Sequence, residues 1–156
     1  MSTNKFIEIV KFSKSLLFLV IIQLIIFLIY IFNKKEGDFS IYIIFFTIIS
    51  LAILTKLKIE IDKYSIRYKL FPFHLFYKKI DLAEIEEINL INLNALNDFW
   101  GWGFRYSSKY GWSYVLDGNY GLFLKLKTGK KLTFTINNKE ELTKFFEKNN
   151  ISFKTC

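Results

Sequence analysis

Apolar residues fill two consecutive runs near the N-terminus, Ser15–Phe32 and Phe39–Thr55, separated only by Asn33–Asp38 (NKKEGD). Neither run contains a charged residue. Apolar side chains occupy every helical face rather than one stripe, which is the pattern of a helix surrounded by protein core or by lipid. At 1.5 Å per residue the runs make about 27 Å and about 26 Å of helix, near the roughly 30 Å hydrocarbon core of a bilayer. The pattern therefore predicts two transmembrane helices, with Lys14, Lys34, Lys35, Lys56 and Lys58 extending to the interfaces. The first run is too long for a signal-peptide core, no small-residue cleavage site follows it, and a second run comes at once. Gln23 is the one strongly polar side chain inside the runs, and folding the pair about its loop sets it level with Thr47. A Gln23–Thr47 hydrogen bond fixing helix register is the expectation.

Beyond the second run the period changes to two. Leu57, Ile59 and Ile61 alternate with Lys58, Glu60 and Asp62, and Ile66, Tyr68 and Leu70 alternate with Arg67 and Lys69. Each reads as a strand with one buried face. Phe71-Pro72-Phe73-His74 breaks the alternation and Leu75–Ile80 resumes it. Asp81–Leu93 is ambiguous between a helical turn at its start and a strand at Ile88–Leu93. Phe104–Ser107 and Trp112–Leu116 are short strand candidates. Leu122, Leu124 and Leu126, then Leu132, Phe134 and Ile136, flank Thr128-Gly129 as a hairpin. An amphipathic helix follows, with Asn138 as its cap, Glu141 completing a capping box, and Leu142, Phe145 and Phe146 as its apolar stripe. The expected organisation is residues 1–56 as tail and two transmembrane helices, then residues 57–156 as an antiparallel β-barrel or sandwich of about seven strands, closed by a C-terminal helix.

Charge then sets orientation. Lysine and arginine flank the outer ends of the hairpin more heavily than Lys34 and Lys35 mark its loop, so both termini are expected to be cytoplasmic in a multi-pass inner or plasma membrane protein. The net charge of +8 is spread along the chain, with 16 Lys and Arg against 11 Asp and Glu in residues 57–156. No basic stripe suited to nucleic acid emerges. Lys58, Arg67 and Lys69 lie just past the second run, where they either set topology or meet anionic headgroups. Cys156 is the only cysteine, so no disulfide forms within the chain and no cysteine metal cluster is possible.

Residues 99–123 are the least generic stretch. They hold all three tryptophans, Trp100, Trp102 and Trp112, and five of the seven glycines. Three readings of this segment stand side by side: rings that complete the core, a protein-binding surface formed by Trp100, Trp102, Arg105, Tyr106 and Trp112, or an interfacial aromatic belt. Arg105 can stack on a ring or hold a carboxylate or phosphate.

Phe71-Pro72-Phe73-His74, Trp100-Gly101-Trp102-Gly103-Phe104-Arg105 and Gly118-Asn119-Tyr120-Gly121-Leu122, leading into Gly129-Lys130-Lys131, carry a resemblance. So does Glu140-Glu141-Leu142. The chain resembles a group of small bacterial membrane proteins with two N-terminal helices and a PH-like (pleckstrin-homology-like) cytoplasmic domain. The resemblance implies that fold and leaves activity open.

Catalytic chemistry is not visible. His74 is a lone turn histidine, Glu84, Glu86 and Glu87 lack metal-ligand partners, and no nucleophile elbow, P-loop or zinc signature occurs. Neither a cofactor nor a metal is expected. The expected function is a membrane-anchored, non-enzymatic binding or scaffolding module with a protein partner at the cytoplasmic face. An anionic-lipid surface sensor, and an accessory subunit of a transport or secretion complex, are the alternatives.

Overall fold

A computed structural model describes residues 5–12, 14–32 and 39–155. The loop 33–38, with Lys34 and Lys35, and Cys156 lie outside the described residues.

The chain enters a β-sheet before it reaches the apolar runs. Phe6–Lys11 forms β1, whose side chains alternate between buried and exposed. Two helices follow, α1 (Lys14–Phe32) and α2 (Phe39–Leu54), and then β2 (Lys56–Ile61). β2 returns antiparallel to β1, with Lys11 opposite Lys56 and Phe6 opposite Ile61. The helical pair is thus an insertion between two paired strands, and the segment before it is part of the β-structure.

Among the described residues, no helix is long and apolar enough to cross a membrane. α1 has 19 residues and α2 has 16, or about 28 Å and about 24 Å of helix against a roughly 30 Å hydrocarbon core. This corrects the expected pair of transmembrane helices. The multi-pass location, the two-span membrane partnership and the inside placement of both termini fall with it. The Gln23–Thr47 bond is not the contact made: Thr47 Oγ1 donates to Ile43 O within α2 at 2.8 Å. Gln23, Leu24, Phe27, Ile43 and Phe46 line a 210 Å³ cavity between the helices.

The first sheet continues from β2 through β3 (Ser65–Phe71) to β4 (Lys78–Asp81), all antiparallel, in the order β1-β2-β3-β4. A 3-10 turn at Leu82–Glu84 leads into β5 (Ile85–Asn92), so the ambiguous 81–93 stretch holds a short helical turn at its start and a strand after it. Then come α3 (Ala95–Phe99), β6 (Gly103–Ser107), β7 (Gly111–Val115), β8 (Tyr120–Leu126), β9 (Lys131–Ile136), α4 (Lys139–Lys148) and the short β10 (Lys154–Thr155). The second sheet runs β10-β5-β8-β9-β7-β6.

The expected PH-like, wholly antiparallel barrel is also corrected. β7 pairs parallel to β9, and β10 pairs parallel to β5. These pairings join segments far apart in sequence, so no hairpin signal announces them. Gly111 permits the first of them. Its φ is +69°, and a Cβ there would collide with the backbone of Lys131, at the start of β9. Only glycine satisfies both conditions.

The inner faces of both sheets meet in one core. Leu57, Ile59 and Tyr68 of the first sheet pack in the same cluster as Leu122, Leu124 and Phe134 of the second. Leu142 and Phe146 of α4 are fully buried in it. Asn138 makes no side-chain cap for α4. Glu8 of β1 holds the segment just before the helix: its Oε1 accepts from Asn137 N at 2.6 Å and from Asn138 N at 3.1 Å, which sets a carboxylate near the positive end of the helix dipole.

Candidate functional site

The aromatic segment divides between core and surface. Asn94 starts α3, its side chain accepting from Leu96 N and Asn97 N at 3.1 Å each, while Asp98 Oδ2 accepts from Asn94 N at 2.8 Å. Five residues later the chain reverses. Trp100 caps α3 in the left-handed region at φ 57°, and Gly101 and Gly103 follow at φ 127° and 105°. A bulky residue at positive φ is uncommon and costs about 1–3 kcal/mol. Here the conformation leaves the Trp100 ring 92% exposed.

The turn delivers the chain into β6, where alternation decides which side chains meet. Phe104 and Tyr106 take one face and Arg105 the other. Phe104 lies opposite Tyr114 and Tyr106 opposite Trp112 across β6–β7. The rings stack accordingly. Phe104 lies flat on Trp112 at 4.8 Å with a 4° interplanar angle, and Tyr106 meets Trp112 edge-on at 5.1 Å. Phe104 also touches Tyr114 at 4.9 Å, and Tyr114 stacks on Phe134 at 5.2 Å. One ladder of rings therefore runs from the core at Phe134 to the surface at Tyr106. Burial, and the neighbouring Tyr68, push the Tyr114 hydroxyl well above the usual phenol range.

Of the five residues predicted as a binding surface, the structure brings Tyr106 and Trp112 together. Arg105 is elsewhere: its Nε donates to Trp102 O at 3.1 Å, which straps the turn before β6. Trp100 and Trp102 lie on that turn, both exposed. Sequence reasoning missed Phe104 as a surface ring, although its place two residues before Tyr106 marks the shared face.

A second exposed region lies on the first sheet. The β3–β4 connection exposes Phe73, Leu75 and Phe76, the last at 83%. His74 turns inward, 5.8 Å from the Tyr114 ring and 6.3 Å from Tyr68. Burial and the nearby Lys78 hold the His74 imidazole below its usual value.

The solvent face of this sheet carries rows of cations. Lys11, Lys56 and Phe71 are aligned across β1–β3; the next row is Ile9, Lys58 and Lys69; the third is Ile7, Glu60, Arg67 and Lys79. Glu60 is the hub. It contacts Lys58 Nζ at 2.9 Å, Lys5 Nζ at 3.0 Å and Arg67 at 3.9 Å, and accepts from Tyr77 Oη at 3.0 Å. Burial opposes its ionisation, but the bonds from Lys58, Lys5 and Tyr77 outweigh that and hold its carboxyl at about 2. Lys58, Arg67 and Lys69, singled out from sequence, thus share one face. Lys58 and Arg67 are tied to carboxylates, whereas Lys56 and Lys69 have no ion-pair partner among the described residues. Among the described residues, no three His, Cys, Asp or Glu side chains gather as a metal site.

No protein-family model matches the chain, and no curated protein matches it either.

Proposed function

We propose that the protein is a non-enzymatic binding module that takes an extended segment of a partner protein along the outer edge of β6. The observation that carries this reading is the position of β6: it ends the six-stranded sheet and, among the described residues, pairs as a strand with β7 alone. Its free edge presents unpaired backbone donors and acceptors to a further strand. Edge strands are usually protected by charge, proline or a covering element. The one charge in β6 is Arg105, whose side chain is turned back onto Trp102, and the short helix α3 also contacts the strand. Beside the edge, Phe104, Tyr106 and Trp112 supply stacked rings of the type that anchors interfaces.

The test is in-cell crosslinking and capture with the full chain, compared with a Phe104→Ser/Tyr106→Ser variant whose circular dichroism matches wild type. A specific protein held by wild type and lost by the variant, and whose binding slows amide exchange in β6, is the expected result. Equal capture by both chains, or a partner that protects other strands, would sink the reading.

A further inference from the structure

We infer that the solvent face of the four-stranded sheet and the 71–77 loop together dock on an anionic phospholipid surface. This stands apart from the β6 reading and uses different residues. Three observations carry it.

The first is charge. Six cations, Lys11, Lys56, Lys58, Arg67, Lys69 and Lys79, occupy three successive rows of one sheet face; Glu60 is the one carboxylate within those rows, and Asp62 and Asp81, just beyond the third row, pair with Arg67 and Lys79. Among the described residues Lys56 and Lys69 are left without a carboxylate, so the face retains positive charge after its internal pairs are made.

The second is the apolar component. Phe73, Leu75 and Phe76 protrude from the loop that follows β3. Phe71, at the end of β3, lies opposite Lys56 in the register, so loop and lysines share one end of the sheet. Cations beside projecting apolar rings match a lipid interface, where headgroup phosphates lie next to the acyl boundary. A nucleic acid would satisfy the cations and leave Phe73 and Phe76 in water.

The third is where the helices emerge. β1 ends and β2 begins in the Lys11–Lys56 row, so α1 and α2 leave the sheet at the same end as the loop. Phe18, Ile25, Ile29, Ile44 and Ile48 are exposed on them. Apolar helix surface, apolar loop and unpaired lysines therefore converge. Such contact comes from one side of a bilayer and requires no helix to span it.

The full chain is tested against vesicles of equal parts phosphatidylcholine and phosphatidylglycerol, and against phosphatidylcholine alone. Exposed apolar helices favour both equally; the lysine rows favour only the first. The expected result is a preference for the mixed vesicles that falls steeply between about 0.05 and about 0.5 M salt. At about fivefold per lysine, Lys56→Gln/Lys69→Gln lowers affinity for mixed vesicles about twenty-five-fold and leaves phosphatidylcholine binding unchanged. Phe73→Ser/Phe76→Ser weakens binding to both vesicle types, by about a hundredfold. Phe104→Ser/Tyr106→Ser leaves vesicle binding intact, which separates this outcome from that of the β6 reading. Equal affinity for the two vesicle types overturns the inference. So does wild-type binding by a folded Lys56→Gln/Lys69→Gln variant, or salt-dependent binding to an RNA homopolymer without a vesicle preference.

Discussion

The two faces of the four-stranded sheet each hide one carboxylate. Glu8 on β1 faces the core and Glu60 on β2 faces solvent; they are 4% and 9% exposed. Residue type, sheet and burial nearly match, yet the two carboxyls shift in opposite directions. Burial pushes Glu8 up, against the pull of the Asn137 and Asn138 amides, and Glu141 adds repulsion. Its Oε2 is buried without a partner. Glu60 has two ammonium groups and a phenol in contact, and is held at about 2. Burial alone therefore predicts neither sign; the donors within reach decide it. The inner carboxylate is a strut that ties β1 to α4. The outer one organises a cationic surface.

The largest expected effect tests the outer face by acid. The folded value of Glu60 lies below its ordinary 4.5, so its contribution is complete above about 4.5 and is lost as pH falls through about 2. The full contribution, present above about 4.5 and lost progressively between those limits, is about 3 kcal/mol. Other carboxylates titrate in the same range, so the readout is a difference. Urea unfolding of wild type and Glu60→Gln from pH 6 to pH 2 should show the two curves converging in acid. Curves that stay parallel would mean that the lysines do not hold Glu60.

Glu8 should show the opposite sign. Its folded value is raised, so its contribution is present below 4.5 and diminishes as pH rises through the folded value. Glu8→Gln keeps an acceptor for Asn137 N and Asn138 N without a buried charge. It should equal or exceed wild type in stability at pH 7 and lose that advantage below pH 4.5. Glu8→Ala leaves both amides without an acceptor and should cost about 2–3 kcal/mol, with faster amide exchange at the start of α4. Stability unchanged in Glu8→Ala would remove the strut.

That strut also shows where the sequence is hard to read. Phe6-Ile7-Glu8-Ile9-Val10 is apolar on both faces, and its one charge lies on the buried face. Period-two reasoning, which assigns charges to solvent, has nothing to hold there. β8 and β9 were legible because Leu122, Leu124 and Leu126 face Phe134, Leu132 and their neighbours across a tight glycine turn. Their parallel neighbour β7 was not legible as such, since that pairing depends on close approach at Gly111 rather than on any local pattern. The aromatic segment shows the same limit. Phe104 and Tyr114 are cross-strand partners on one face, yet they are 50% and 3% exposed. Alternation assigns a face; distance from the sheet edge decides burial, and edge order is a tertiary fact.

The smallest expected effect separates hydrogen bonding from charge within the outer network. Tyr77 Oη donates to Glu60 Oε1 at 3.0 Å, while Lys58 Nζ and Lys69 Nζ lie 5.6 and 5.9 Å from the Tyr77 ring. Tyr77→Phe removes the donor and keeps the ring on which both lysines rest. Two ammonium groups remain on Glu60, so its carboxyl should rise only part of the way toward 4.5, and the fold should lose about 1 kcal/mol. Carboxyl chemical shifts followed through an acid titration read the first effect and urea unfolding the second. A Glu60 midpoint that does not move would assign the depression to Lys58 and Lys5 alone. A midpoint that returns fully to 4.5 would mean that the phenol, and not the cations, distinguishes the outer carboxylate from the inner one.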